Sequence, residues 1–243
     1  KTPIVIANNA KVANWEDNSG NQAHAFQNNT SAQPTFNTNQ INFNPAVNFT
    51  NNPTTALNIP DQANIRQSYW VAQDATVAGN TYFHVLYGGE ATSQYGATAT
   101  PNFHGGLAGS VQFATNMSAA QGSWRVDGTA GTAASKYNFG PQGKPNIMTS
   151  FSLLDNAPFS AQSISFQSGQ ARSWNGPIAE IITFQNQFST NQQNIVETYL
   201  GVKYGISVGH DYVAPDGTIV WNRTANITYH NNVFGIGRSD SQG

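Results

Sequence analysis

The chain of 243 residues contains no cysteine. This excludes disulfide stapling, thiol catalysis and cysteine-ligated zinc or iron–sulfur centres. Charge is nearly as scarce. Asp, Glu, Lys and Arg make up 9% of the residues, where a soluble domain carries roughly 25%. The 10 Lys+Arg and 12 Asp+Glu leave a formal charge of −2. No basic stripe is available to neutralise phosphates, so nucleic acid is excluded as a partner. Long apolar runs are also missing, and no stretch approaches the roughly 18 residues that a membrane-spanning helix needs. Pro3-Ile4-Val5-Ile6 is too short for the apolar part of a signal peptide, and the chain reads as a segment of a longer protein.

Amides supply the polarity that charge does not. There are 30 asparagines, about one residue in eight, with many Gln, Thr and Ser. Leu, Ile, Val and Phe are few, but disorder also requires high net charge, and the 38% hydrophobic and 12% aromatic content fits a folded domain.

The apolar signal has period two. Ile41-Asn42-Phe43-Asn44-Pro45-Ala46-Val47-Asn48-Phe49 reads as one strand with Asn42, Asn44 and Asn48 on its wet face. Tyr82–Tyr87 and Pro177–Phe184 are apolar on both faces, as in strands at the middle of packed sheets. Asp127-Gly128 and Asp216-Gly217 are hairpin-turn dipeptides. Many short strands separated by turns predict a sandwich or jelly roll. One helix is expected over Ser189–Tyr204. Ser189 and Gln192 have capping-box spacing, Ile195, Val196, Tyr199, Leu200 and Lys203 follow at helical spacing, and Gly205 supplies the stop. The polar, turn-rich run from His210 to Gly217 sets a boundary, giving a domain over 1–209 and the start of a small β unit over 210–243, with strands expected at Thr218–Trp221 and Val233–Gly237.

Few residues suit chemistry. Glu16 and Asp17 are adjacent, Asp211 and Asp216 straddle a proline turn, and Glu180 and Glu197 stand alone, so no hydrolytic carboxylate pair is evident. His24, His84, His104, His210 and His230 show no metal-ligand spacing; His84 falls inside a strand, and His210 and His230 are expected in turns. No nucleophile elbow is present. Two binding readings remain. The loop Glu16-Asp17-Asn18-Ser19-Gly20-Asn21 offers oxygens to calcium, with Asp17, Asn18 and Asn21 as candidate ligands, although the same side chains also suit an Asx-rich turn closed on its own backbone. Trp15, Trp124 and Trp174 are candidate aromatic platforms for a glycan, weighed against a place in the core.

Three groups of segments resemble a bacterial surface-protein pattern. They are Trp15–Asn21 with Gln33-Pro34-Thr35-Phe36 and Ile41–Phe49; Trp174–Ile182 running into the helix that ends Tyr199–Ile206; and Asp211-Tyr212 with Asp216–Trp221 and Gly235–Arg238. The pattern is that of laminin-G-like, concanavalin A-like domains in large secreted adhesin-type proteins. The resemblance implies an all-β, two-sheet antiparallel jelly-roll sandwich with one short C-terminal helix, often binding calcium. The chain departs from the pattern at Asn51-Asn52-Pro53-Thr54, where many such domains carry Asp. The resulting expectation is a non-catalytic extracellular module that binds glycans or cell-surface ligands and contacts neighbouring modules. The alternatives are a structural subunit of an extracellular fibre and a divergent polysaccharide hydrolase or lyase.

Overall fold

The computed structural model describes residues 6–50, 54–73, 84–88, 103–105, 113–115, 122–130, 143–152, 159–167 and 172–232. The first strands are β1 (Asn14–Trp15), β2 (Ala25–Phe26), β3 (Thr35–Ile41), β4 (Asn44–Phe49), β5 (Leu57–Ile65) and β6 (Gln67–Gln73). They are followed by β7 (His84–Gly88), β8 (Phe103–Gly105), β9 (Phe113–Thr115), β10 (Gly122–Val126), β11 (Thr129–Ala130) and β12 (Pro145–Ser152). Then come β13 (Phe159–Ile164), β14 (Phe166–Gln167), β15 (Arg172–Ser173), β16 (Gly176–Phe184), the helix α1 (Thr190–Tyr204), β17 (Tyr212–Val213) and β18 (Ile219–Trp221). Two antiparallel seven-stranded sheets dominate, in the orders β1-β2-β5-β13-β7-β8-β9 and β11-β10-β12-β6-β16-β4-β3.

Period two builds the layers. Along β6, Trp70 and Ala72 enter the core between the sheets, beside Leu57, Ile65 and Ile164 of the opposing sheet. Tyr69 and Val71 point the other way, into a second core with Leu200 and Tyr204 of α1 and with Ile206, Val208 and Tyr212 beyond it. The second sheet is therefore buried on both faces, and Gln67–Ala72 is buried throughout. As the sequence predicts for 177–184, β16 sits between β6 and β4. Ile206, Val208 and Tyr212 all belong to the helix-side core, and position 209/210 falls between them. Asp127-Gly128 closes β10 to β11 with both residues at positive φ, and Gly217 turns β17 into β18. The strand expected at 233–237 and Tyr82 lie outside the described residues, as do Asn51–Pro53.

The segment 41–49 is corrected. It is a hairpin rather than one strand: Ile41 pairs with Asn44 across Asn42-Phe43, both at positive φ, and Phe43 is 91% exposed. Two of its amides are not on a wet strand face either. Asn42 Nδ2 donates to the Tyr204 carbonyl at 2.6 Å and Asn44 Nδ2 to the Lys203 carbonyl at 3.1 Å. They satisfy carbonyls that a helix C-terminus leaves without intrahelical partners.

The helix follows its sequence signals at the ends. Ser189 and Gln192 form the reciprocal capping box, and Gly205 is left-handed at φ 63° with the Ile206 N–H returning to the Gly201 carbonyl. Its buried face is corrected, however. Gln193, Glu197, Thr198, Leu200, Gly201 and Tyr204 face inward, while Tyr199 and Val202 are exposed.

Candidate functional site

A cavity of about 420 Å³ opens where β16 parts from β4. The two strands pair only over Gly176–Ile178, with Ile178 opposite Val47. Continuing that register would set Glu180 opposite Pro45, which has no N–H to donate. A register shift between Ile178 and Glu180 against β6 bends the strand at the same place. The walls are Ala179–Thr183 of β16, the loop that follows Trp15, Ala25, Ile59 and Ile164 from the opposing sheet, and Lys203 and Tyr204 of α1.

Glu180 organises the helix side of this cavity. Its carboxylate accepts from Lys203 Nζ at 2.8 Å and Tyr204 Oη at 2.9 Å, with Tyr199 Oη at 3.4 Å. The Lys203 ammonium also donates to Tyr199 Oη at 3.0 Å and lies 5.3 Å from the centroids of the Tyr199 and Tyr204 rings. Burial pushes the Lys203 pKa down, but the bonds to Glu180 and Tyr199 outweigh it and raise it above the ordinary lysine value. Burial, with the Glu180 charge beside it, raises the Tyr204 phenol. At neutral pH the amine is held charged and the phenol neutral.

Across the cavity lie the calcium candidates Asp17, Asn18 and Asn21, all on its lining. The Asp17 carboxylate accepts from Ser19 N–H at 2.8 Å, Ser19 Oγ at 2.9 Å and Ala23 N–H at 3.0 Å, while its own N–H donates to His24 Nδ1 at 3.0 Å. Burial pushes this carboxyl up, yet the hydrogen bonds from Ser19 and Ala23 and the neighbouring His24 hold it below its usual value. Asn21 Nδ2 donates to Ser19 Oγ at 3.1 Å. The side chains thus close an Asx-type turn on themselves. One carboxylate and two amides supply about three of the six to eight oxygens that calcium takes. Among the described residues no group of three His, Asp or Glu is arranged for a metal ion.

The aromatic candidates separate. Trp124 and Trp174 are 7% and 1% exposed and belong to the inner core. Trp15 is half-buried, packed against that core with one side on the cavity. It is the glycan candidate that the fold leaves beside polar groups.

Glu197, which has no neighbouring carboxylate in the sequence, gathers three other partners in the fold. Its fully buried carboxylate accepts from Arg125 at 2.8 Å, Thr149 Oγ1 at 2.7 Å and His210 Nε2 at 3.0 Å. Arg125 also reaches Asn194 Oδ1 at 2.9 Å. The Gly209 N–H bonds the Asp127 carbonyl at 2.6 Å, so the segment after α1 is tied to the β10–β11 turn. Asp127 itself accepts from the Ile147 N–H, and burial pushes its carboxyl up to about 7, opposed by that bond and helped by the Glu197 charge. His230 is not in a simple turn. It is buried in a 3-10 segment, with Nε2 on the Val208 carbonyl. These groups clamp α1, β10, β12 and the following segment together. No sequence spacing announces them, because Arg125 and Thr149 lie 72 and 48 residues from Glu197.

Comparison with known proteins adds one match, a family described as Domain of unknown function (DUF8202), over residues 192–243. No curated protein and no solved structure matches the chain. Among the described residues no helix is long and apolar enough to cross a membrane.

Proposed function

We propose that the chain is a non-catalytic binding module of an extracellular bacterial surface protein, built as a jelly-roll-type sandwich, and that the cavity beside Trp15 is its ligand site. One observation carries this reading. A half-buried aromatic ring, a polar loop and the Glu180–Lys203–Tyr204 cluster converge on a single cavity of about 420 Å³. Cavities of this size with a few convergent polar groups are the usual form of ligand sites. The ligand is sought at the cell surface, as a glycan or a protein segment, with neighbouring modules as further partners.

The cavity's electrostatics favour binding over catalysis. General acid–base work needs groups that titrate near the operating pH. Lys203 and Tyr204 are both held away from it, and Glu180 is committed to them. A divergent hydrolase would need two carboxylates free to act as a pair; Glu180 is bound to Lys203 and Tyr204, Asp17 is saturated by its own loop, and Glu16 stands exposed on the rim.

The test is binding of the purified chain to whole bacterial and host cells and to a glycan array, with Trp15→Ala in parallel. Saturable binding that falls at least about tenfold in the variant supports the site. Binding indifferent to Trp15→Ala removes it. Hydrolysis of any array polysaccharide would overturn the non-catalytic reading.

A further inference from the structure

One edge of the cavity is left unused by its own walls. β16 pairs with β6 along Ile178–Phe184, but its opposite edge meets β4 only over Gly176–Ile178. Among the described residues no strand pairs with Glu180–Thr183 on that side. A free strand edge carries a row of N–H and C=O groups and is a template for another strand. Here the edge is not on the outside of the sheet. It borders a cavity whose floor, Ala25, Ile59 and Ile164, belongs to the opposing sheet. Trp15, Ile59 and Ile181 are only partly buried members of the inner core, so that core is left incompletely covered at this point.

The rim carries a sign. Lys203 is neutralised by Glu180 at 2.8 Å. Glu16 and Asp17 remain as its carboxylates, with the His24 ring beside Asp17. An occupant must therefore offer an extended backbone, apolar side chains on alternate positions and positive charge between them.

We propose that the free edge of β16 accepts an extended peptide strand of a partner protein, with β-branched residues facing the floor and Lys or Arg facing the Glu16–Asp17 rim. This rests on the cavity being the module's ligand site and assigns its ligand to protein rather than glycan. A strand adds main-chain bonds at the roughly 4.8 Å inter-strand spacing and places every second side chain toward the floor. A sugar stacked on Trp15 would use the ring and leave the edge groups to water.

The experiment measures fluorescence anisotropy of a labelled peptide of alternating Val and Lys titrated with the full chain. The controls are the same peptide methylated at every backbone nitrogen, an alternating Val and Glu peptide, and the glycan array. Saturable binding of the Val/Lys peptide is expected, weakened at least about tenfold by methylation, since several main-chain hydrogen bonds are lost. The Val/Glu peptide binds at least about tenfold more weakly, and Glu16→Lys, an exposed substitution, narrows that difference. Equal binding of the methylated peptide, or a charge preference that Glu16→Lys leaves unmoved, overturns the proposal. Absence of peptide binding, together with glycan binding that Trp15→Ala abolishes, overturns the strand and leaves the site. If Trp15→Ala alters neither peptide nor glycan binding, both fall.

Discussion

The Glu197 carboxylate has no solvent exposure and three partners, Arg125, Thr149 and His210. Removing one member of a buried ion pair leaves the other charge uncompensated, which costs about 3–5 kcal/mol. Glu197→Ala is accordingly expected to lower stability by that amount in a urea melt. Asp127, a turn residue beside the same cluster, sets a pH dependence. Burial pushes its folded-state carboxyl up to about 7 from the ordinary aspartate value of 3.8, so the folded state holds the proton more tightly. Stability from this group is complete below about pH 4, is lost as pH rises to about 7, and is level above that. Asp17 and Asp216, both held below the usual carboxylate value, act in the opposite sense only at lower pH. Asp127→Asn keeps an acceptor for the Ile147 N–H and removes the ionisation. Its melting temperature should exceed that of the parent chain at pH 8 and match it near pH 4; a raised value at both would discount the titration.

At the scale of the element, α1 shows which signals are local. Ser189, Gln192 and Gly205 act within a few residues of backbone, and each takes the role its spacing predicts. Ser189→Ala should cost about 1 kcal/mol, read from a urea melt. The buried face is another matter. A helix whose inward residues include Gln193, Glu197 and Gly201 has no clear apolar stripe to read. Gly201 is there for space: a Cβ would stand 2.8 Å from the Ile206 carbonyl oxygen and 3.1 Å from Val208 Cγ1. Gly201→Ala is expected to destabilise by about 1–3 kcal/mol despite alanine's better helix propensity, because the returning backbone has to shift. The hairpin over 35–49 misleads in the same way. Its turn, Asn42-Phe43, holds no glycine, and Phe43 keeps step with the apolar Ile41, Val47 and Phe49 on either side, so the period-two pattern does not mark the turn.

Across the whole molecule the scarcity of charge shapes how stability responds to solvent. The two described charge clusters, around Glu180 and Glu197, lie on or near α1, and Glu197 is buried. Much of the remaining polar bonding is by amides and hydroxyls, which salt does not screen. The melting temperature at neutral pH is therefore expected to change by less than about 3 °C between low salt and 0.5 M NaCl, and a larger shift would show that surface charge contributes more than this arrangement allows. Sequence alone determined the β-rich, cysteine-free character of the chain, its helix ends and its Asp-Gly turns, because composition, caps and turns act over a few neighbouring residues. Burial of the second sheet on both faces, the meeting of Glu197 with Arg125 and Thr149, and the cavity that Trp15 shares with Glu180 and Lys203 arise with the folded chain. Those contacts join residues tens of positions apart, and sheet pairing, which has no local signature in the chain, is what brings them together.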